Sequence, residues 1–500
     1  MESKLKRIWE FWWVAILLIA APFMIMSKTP DSDTFFLMAT GRYIVENGMV
    51  PTINPFVIHE GFQVIIQQWL FDVTVYGAYN ALGNFGLFLF VAGAYMISLV
   101  ILYKYISIFT KNAFAKGIMM LTIGLLYIPY SVARPTCISF IVMLLLLYSI
   151  EQYRQTNKMY YLATLPVLSL IEINFHSAMW PMMFVLMMPY VFPLTLIRKG
   201  DFKENGKKWL SRNKLLFPTM LIMLAMGFIN PNGIKGMTYV LNSYGSATGG
   251  IAIGELLPPS TNTAQGIAIL ASVSFLACYI YKNKNKILDT TCDTQTELTR
   301  LSMMTGVLIL ACMHYRNIWY LYLGATPVIL EIIGDLKVNI KKPKWLTLFR
   351  QAEITVIGLI LTVFLTCFMF SISTYSSDTA KDSELAPYAA ADYLDQIENK
   401  DIQLFTEFNN GAFMEWRGYK VYMDARPELF QTKVNGQEDI YSEYGTVRSG
   451  EINYEEFLEK YKFTHLVVIK NTIFDMYLKL NDAYKAVING NGYTLYELKE

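Results

Sequence analysis

The stretch PDSDTFFLMATGRYIVENG, Pro30 to Gly48, follows the first long apolar run of the chain. The segment Asp31-Ser32-Asp33 precedes a helix-forming run, and Asn47-Gly48 is a helix stop signal. The pattern therefore predicts a capped amphipathic helix. Two carboxylates so close to a membrane edge also fit the catalytic acids of a membrane-surface enzyme. We place the catalytic role first and the capping role second, and Asp33 fits both.

The composition is that of a polytopic membrane protein. The 500 residues are 54% hydrophobic and only 16% charged, whereas soluble domains are nearer to a quarter charged. The formal net charge of +2 gives no indication of a nucleic-acid partner.

Apolar windows of about 20 residues predict about 11 membrane-spanning helices. The predicted spans lie near residues 12–27, 85–107, 113–132, 136–152, 159–174, 177–198, 214–229, 264–282, 299–313, 317–334 and 353–374. The stretch 62–82 contains Gln67, Gln68, Asp72 and Asn80, and we predict an interfacial amphipathic helix there.

The positive-inside rule supports this topology. With the N-terminus in the cytoplasm, most lysines and arginines fall on the inner side, including the cluster at 198–214. The few that fall outside before residue 375 are Lys28, Arg42, Arg134, Lys235 and Arg316. We therefore expect a mainly α, polytopic membrane helical bundle over 1–375, with a first outer loop at 28–84. A small extracytoplasmic α/β domain should follow over 376–500.

The C-terminal part has the patterns of a soluble domain. LAPYAAADYLDQI (385–397) and NYEEFLEKY (453–461) predict amphipathic helices. IQLFTEF (402–408), YKVYMDA (419–425) and THLVVIK (464–470) predict strands.

Unusual polar residues gather on the predicted outer face, where ionisable groups near a membrane suggest a functional site. Each one alone has a structural explanation, such as a helix cap, a span end or an interfacial hydrogen bond. Their combination favours an outward-facing polar cavity. The candidates are Asp31, Asp33, His59, Glu60, Arg134, Glu172, Asn174, His176, the turn at 230–233, His314 and Arg316.

Several stretches together resemble the GT-C superfamily of integral-membrane glycosyltransferases. They are the Asp31/Asp33 segment after the first span, GRYIVENGMVPTINPF (41–56), GFQVIIQQWLFDVTVYGAYNALGNFGL (61–87), ARPTCISFIVMLLLLYSIE (133–151), EINFHSAMWPMMFV (172–185) and NPNGI (230–234). In addition, NNGAFMEWRGYKVYMDARPELF (409–430) is similar to a stretch of a poorly described bacterial branch of that group. Many members carry Asp-Glu where this chain has Asp-Ser-Asp, so the matching acid is either Asp31 or Asp33.

The resemblance implies transfer of a sugar from a polyprenyl-phosphate carrier to an acceptor at the outer membrane face. Asp31 or Asp33 would deprotonate or orient the acceptor hydroxyl. His176 would be a second base or would donate a hydrogen bond to the lipid phosphate. Substrate-binding roles are expected for His59, Glu60, Arg134, Asn174, His314, Arg316, Asp424 and Arg426. Asp424 and Arg426 either close the cavity or pair with each other in a structural turn.

Metal use and non-enzymatic functions stay open at this point. A divalent cation, Mg or Mn, could bind Asp31 and Asp33, because both offer hard oxygen ligands. The expected partners are a lipid-linked sugar donor, membrane lipids and a glycan, lipid or protein acceptor. The alternatives are a transporter or flippase, a polysaccharide ligase or polymerase, and a non-catalytic scaffold in surface polysaccharide assembly. The expected location is the bacterial plasma membrane.

Overall fold

A computed structural model describes residues 17, 30–192, 214–240, 258–288, 295–334, 382–398 and 401–499. Helices in chain order are α1 Ser32–Asn47, α2 Trp69–Phe109, α3 Ala113–Tyr127, α4 Thr136–Thr156, α5 Met159–Phe175, α6 Trp180–Val191, α7 Leu216–Met226, α8 Ile234–Met237, α9 Ala264–Leu288, α10 Gln295–Met313, α11 Ile318–Gly324 and α12 Thr326–Ile333. The C-terminal part contributes α13 Tyr388–Asp395, α14 Gly411–Trp416, α15 Thr432–Asn435, α16 Ile440–Ser449, α17 Tyr454–Tyr461 and α18 Ile473–Leu480. Its strands are β1 Leu404–Phe405, β2 His465–Ile469, β3 Tyr484–Asn489 and β4 Tyr493–Leu498.

The described residues include 5 helices that are long and apolar enough to cross a membrane. These are α2, α3 with its short 3₁₀ continuation, α4, α9 and α10. Three shorter apolar helices, α5, α6 and α7, lie where further spans are predicted. The predicted spans at 12–27 (Leu17 apart) and 353–374, and most of the basic cluster at 198–214, fall outside the described residues. The chain is a multi-pass membrane protein with a mainly helical bundle.

The predicted interfacial helix is part of α2. It begins at Trp69, later than the predicted residue 62, and it breaks at Leu82 and Gly83. Gly83 has φ 60°, a value in the left-handed region that glycine adopts without a steric penalty. The break separates residues 69–81 from the long apolar segment that follows. The boundary between the predicted interfacial helix at 62–82 and the predicted span at 85–107 therefore coincides with a break in α2, and the interfacial position stays a prediction.

The C-terminal part is an α/β unit with a four-stranded mixed sheet in the order β1-β2-β4-β3. β1 pairs parallel to β2, and β4 is antiparallel to both of its neighbours. The predicted helices at 385–397 and 453–461 correspond to α13 and α17, and the strand at 464–470 corresponds to β2. The strand predicted at 419–425 is reduced to isolated bridges at Val421.

The first outer loop extends this sheet. Val421 forms parallel bridges with Leu404 of β1 on one side and with Val57 of the loop on the other. The Ile58 N–H donates to the Val421 carbonyl at 3.0 Å, and the Val421 N–H donates to the Phe56 carbonyl at 2.9 Å. Residues more than 350 positions apart in the chain therefore share one edge of a sheet.

Two hydrophobic cores hold the molecule together. One lies among the helices of the bundle. The other combines α1, the first outer loop and the start of α2 with the C-terminal α/β unit. Within it, Phe35 of α1 packs edge-on against Phe413 of α14, with ring centroids 5.1 Å apart. Burial of aromatic side chains is among the largest contributions to core stability. This packing therefore fixes one face of α1 against the C-terminal α/β unit.

Gly41 lets α1 pack closely against α2. A Cβ atom at this position would lie 2.1 Å from the Asp72 carbonyl oxygen and 2.8 Å from the Tyr76 Cβ. The two helices therefore approach each other more closely than any larger residue allows. On the same helix as Asp72, a Cβ added at Gly77 would meet nothing within 4 Å.

We expect Gly41→Ala to lower the free energy of unfolding by about 1–3 kcal/mol, because the added methyl group forces α1 away from α2. Gly77→Ala is the matched control and should be neutral or slightly stabilising, since alanine favours helix. Thermal unfolding of the purified protein in detergent measures both. Equal melting temperatures for the two variants would contradict the close helix contact.

His59 of the first outer loop is inserted among aromatic rings of the C-terminal unit. Its ring stacks on Phe62 at 4.7 Å and meets Tyr422 and Tyr461 edge-on. Its Nε2–H donates to the Tyr422 carbonyl at 2.7 Å. Burial lowers the pKa of His59 to about 4, although this hydrogen bond opposes the shift. The neutral imidazole is therefore the form that the folded protein holds.

This pKa predicts acid sensitivity. Between pH 6.5 and about 4 the unfolded His59 binds a proton that the folded one does not, so stability present above pH 6.5 is lost as the pH falls. His59→Phe keeps the stacking but cannot titrate. It should cost about 1 kcal/mol at pH 7 through the lost hydrogen bond and should flatten the decline of melting temperature toward pH 4.5. Parallel pH profiles for the two proteins would refute this role.

Candidate active site

Asp31 caps α1, as the sequence predicts. Its Oδ1 accepts a hydrogen bond from the Thr34 N–H at 3.0 Å, and the Asp31 N–H donates to the Thr34 hydroxyl at 3.2 Å. Gly48 ends the helix in the left-handed conformation, with φ 68°. This reciprocal arrangement is a capping box, which satisfies N–H groups that the first helical turn leaves open. Asp33 lies in the first turn of the same helix.

Arg134 binds both carboxylates. Its Nε donates to Asp31 Oδ2 at 2.6 Å, and one of its terminal nitrogens lies 2.9 Å from Asp33 Oδ2. Arg134 stands in the turn before α4, so this contact joins α1 to the bundle. The three side chains keep 20–27% of their surface exposed. A guanidinium fork suits this bridging geometry because its donors point in fixed directions.

The carboxylate pair does not fit a metal ion as it is arranged here. Arg134 occupies the position between Asp31 and Asp33 where a shared cation would have to bind both Oδ2 atoms. Within the part of the chain that the structure describes, no group of three histidine, cysteine or acidic side chains is placed to hold a metal.

A cavity of about 160 Å³ opens at Asp33. Its walls come from α1, the segment before α2, the residues just after α8 and the C-terminal unit. The lining residues are Asp33, Phe36, Ile65, Ile66, Gln67, Gln68, Tyr239, Ala425, Arg426, Glu428 and Leu429. At about 10–15 Å³ per water-sized group, the volume is that of roughly one monosaccharide. We call this space the Asp33 cavity.

Arg426 forms one wall of the Asp33 cavity and is itself ion-paired. Its guanidinium binds the Asp424 carboxylate, lies 3.1 Å from both Glu415 oxygens and covers the Phe36 ring at 4.7 Å. Burial opposes its charge, yet the Asp424 and Glu415 carboxylates raise the pKa of Arg426 above its usual value. Asp424 and Arg426 thus pair with each other, and Arg426 lines the Asp33 cavity whereas Asp424 does not.

Tyr239 and Glu428 also line the Asp33 cavity. The Tyr239 hydroxyl donates to Glu428 Oε1 at 2.6 Å. Gln68, at the start of α2, is buried, and among the described residues its Oε1 has no hydrogen-bond partner. A buried amide oxygen without a partner is costly.

His176 contacts the start of α4. Its Nδ1 is 2.7 Å from the hydroxyl of Ser139, in the first turn of that helix. The charge of Arg316 acts on both His176 and Tyr239. His314 immediately precedes the 3₁₀ turn that carries Arg316. The turns that carry His176 and Arg316 therefore lie near each other, and Arg316 lies near Tyr239 of the Asp33 cavity.

Three other predicted residues lie elsewhere or already have partners. His59 and Glu60 line clefts between the first outer loop and the C-terminal unit, and neither lines the Asp33 cavity. The Asn174 amide accepts from Trp69 Nε1 at 2.8 Å and donates to the Leu170 and Ile229 carbonyls. Asn174 therefore fastens helix ends together.

Sequence reasoning did not select Gln68, Tyr239 or Glu428 as site residues. Gln68 is a polar side chain in an otherwise apolar stretch and could have been selected for that reason. Its polarity was instead explained by the predicted amphipathic helix at 62–82. Glu428 lies inside the YMDARPELF segment, where Asp424 and Arg426 drew attention instead. Tyr239 carries no local signal, because only the fold brings it to Asp33.

Comparisons with known proteins find structural relatives but no sequence relatives. No family model matches the chain, and no curated protein matches it. Its fold is similar to that of the archaeal oligosaccharyltransferase AglB from Archaeoglobus fulgidus, solved with an inhibitory peptide and a dolichol-phosphate. That match has a TM-score of 0.54 and 11% identity, and it covers 92% of this chain and 69% of the other.

A second similar structure is ArnT from Cupriavidus metallidurans in the apo state. The TM-score is 0.53 at 11% identity, and the match covers 98% of both chains. Both solved proteins are membrane glycosyltransferases of the GT-C superfamily. The GT-C fold that the sequence resemblance implies is therefore confirmed, including the small C-terminal mixed sheet.

The two bonds of Asp31 can be tested separately. Asparagine caps helices as well as aspartate does, so Asp31→Asn should keep the cap and lose only the charge opposite Arg134. Asp31→Ala loses both the cap and the charge. Its free energy of unfolding should be about 1 kcal/mol lower than that of Asp31→Asn. Thermal unfolding at neutral pH makes the comparison. Identical stability of the two variants would show that the cap contributes nothing.

Proposed function

We propose that this protein transfers a sugar from a polyprenyl-phosphate carrier to a hydroxyl acceptor at the outer membrane face. The observation that carries the proposal is the Asp33 carboxylate, which is held by Arg134 and opens onto a cavity of about 160 Å³. The GT-C fold supports it, since one protein of similar fold is an oligosaccharyltransferase that was solved in complex with a dolichol-phosphate.

Asp33 is the general base in this proposal. An alcohol is a weak nucleophile, and a positioned carboxylate that accepts its proton as the new C–O bond forms speeds the reaction by about 10²–10⁴-fold. Asp33 lines the cavity, whereas Asp31 does not. Both Asp31 oxygens are engaged, one by the α1 cap and the other by Arg134. Asp31 therefore positions Arg134, and Arg134 in turn fixes the Asp33 carboxylate.

The leaving lipid phosphate needs cationic hydrogen-bond donors, and arginine supplies them in a forked geometry. Arg316 suits this role in the proposal because its charge acts on Tyr239 in the cavity wall and on His176 behind it. Arg426 is less suited, since Asp424 and Glu415 already neutralise it. Arg426 instead holds the C-terminal wall of the cavity in place.

The membrane topology assumed in this proposal follows from the distribution of lysine and arginine among the loops. The N-terminus lies in the cytoplasm, and the first outer loop and C-terminal unit lie outside a bacterial plasma membrane. The donor is a lipid-linked sugar, and the acceptor is a glycan, lipid or protein. The convergence of Asp31, Asp33 and Arg134 favours an enzyme over a scaffold, because a scaffold has no need of a carboxylate held open to a cavity.

Sugar transfer tests the proposal. Membranes that contain the protein and native acceptors are supplied with labelled polyprenyl-phosphate sugars, and release of polyprenyl phosphate is measured. Asp33→Asn should reduce the release at least about 100-fold, because the amide cannot accept the proton. Asp31→Asn is the matched control. It keeps the cap, and its amide oxygen can still accept a hydrogen bond from Arg134, so we expect a much smaller loss of activity than in Asp33→Asn at equal expression.

Two results would contradict this assignment. Equal release by wild type and Asp33→Asn would remove Asp33 from the mechanism. An absence of release across the donor panel, with the protein folded by its melting curve, would favour the scaffold or transporter functions over the enzyme.

A further inference from the structure

A second and much larger space lies between the first outer loop and the C-terminal unit. It has a volume of about 830 Å³, against about 160 Å³ for the Asp33 cavity. Residues 53–61 form one wall, and the other wall is formed by Leu394, Asp395, 401–403 and 417–420. We call this space and the two clefts that adjoin it the outer trough.

The adjoining clefts share walls with the central space. A cleft of about 320 Å³ shares Ile58, His59, Glu60 and Gln403 with it and adds Lys460 and Tyr461. At the other end, a cleft of about 180 Å³ shares Pro55 and 418–420 and adds Ala39, Arg42, Tyr43 and Glu46 of α1. The trough therefore extends across the outer assembly and ends on the helix that carries Asp33.

Specific bonds fix both walls of the trough. The Val57–Val421 bridge and the His59–Tyr422 hydrogen bond hold the loop wall. On the opposite wall, Arg417 binds Asp392 at 2.8 Å and also pairs with Asp395. Such a preformed concave surface lowers the ordering cost of binding a ligand.

The lining of the trough suits a hydroxyl-rich ligand without a strong net charge. Gln403 presents a partly exposed amide, which both donates and accepts hydrogen bonds, as sugar hydroxyls do. Carboxylates and cations occur together, for example Glu60 with Lys420. Because the two signs of charge are mixed, neither a polyanion nor a polycation finds a complementary surface. Tyr419 and Tyr461 add ring surfaces at either end.

The Asp33 cavity and the trough share no lining residue, and α1 spans the distance between them. Asp33 and Arg42 lie nine residues apart on α1, which at 1.5 Å per residue is about 14 Å. The Asp33 cavity has room for about one sugar ring, and the trough is several times larger. A ligand that reaches from one to the other must therefore be a chain of several units.

We propose that the outer trough binds an uncharged, hydroxyl-rich glycan chain, the part of the acceptor behind its reacting end. This identification as acceptor rests on the proposed sugar transfer, whereas glycan binding itself does not. A polypeptide is the competing occupant, but the mixed-charge lining and the Gln403 amide favour the glycan.

Binding of defined oligosaccharides to the purified full-length protein tests the proposal without any donor. The panel contains neutral glycans of two to six sugars, acidic glycans of equal length and extended peptides. We expect saturable binding of a neutral glycan whose affinity rises with chain length. Gln403→Ala combined with Lys420→Ala should weaken it at least about tenfold, the effect of losing about 1.4 kcal/mol. The matched control is Lys433→Ala with Lys499→Ala, two exposed lysines outside the trough.

The remaining outcomes overturn the proposal. These are retention of peptides but no glycan, no binding by any member of the panel, or equal loss in the control pair. Asp33→Asn separates the two hypotheses, because it should abolish transfer and leave glycan binding unchanged. If the protein binds the glycan but transfers no sugar, the glycan-binding role of the trough is supported and the proposed sugar transfer is contradicted.

Discussion

The arrangement of the outer face depends on α1 being held from two sides. Gly41 lets α2 approach its backbone, and the aromatic residues of the C-terminal unit cover its other surface. Since packed interiors resist even small displacements, α1 has little freedom to rotate. The carboxylates at its N-terminus are therefore set by packing at positions well along the helix, and Arg134 binds groups that are already in place.

Charge is handled differently in the two arginine clusters. Arg134 meets its carboxylates in a partly exposed position, where water still reaches the groups. Arg426 and its partners Asp424 and Glu415 are buried. Removing one member of a buried cluster leaves a charge without compensation, which is far more costly than losing an exposed pair. The first cluster is suited to contact a substrate, and the second is suited to join the C-terminal unit to α1.

The sequence allowed good prediction wherever the signal is local. The cap at Asp31, the stop at Gly48 and the junction near Gly83 all follow from neighbouring residues, and so do the apolar helices. The sequence did not allow prediction of the pairing between strands. The segment around Val421 alternates like a full strand, yet it forms only bridges, and the hairpin of β3 and β4 was missed. The Asp33 cavity combines side chains from four separate parts of the chain, and no local pattern reports that convergence.

The sheet edge at Val57 also affects how the protein is made. Its partner, Val421, is synthesised about 360 residues later, a delay of roughly 20–70 s at ordinary rates of translation. During that time α1 and the first outer loop lack the surface that covers them. The acid-bearing helix thus reaches its final environment only when the last quarter of the chain has emerged, so a truncated product would contain the two aspartates without the wall that Arg426 and Glu428 supply.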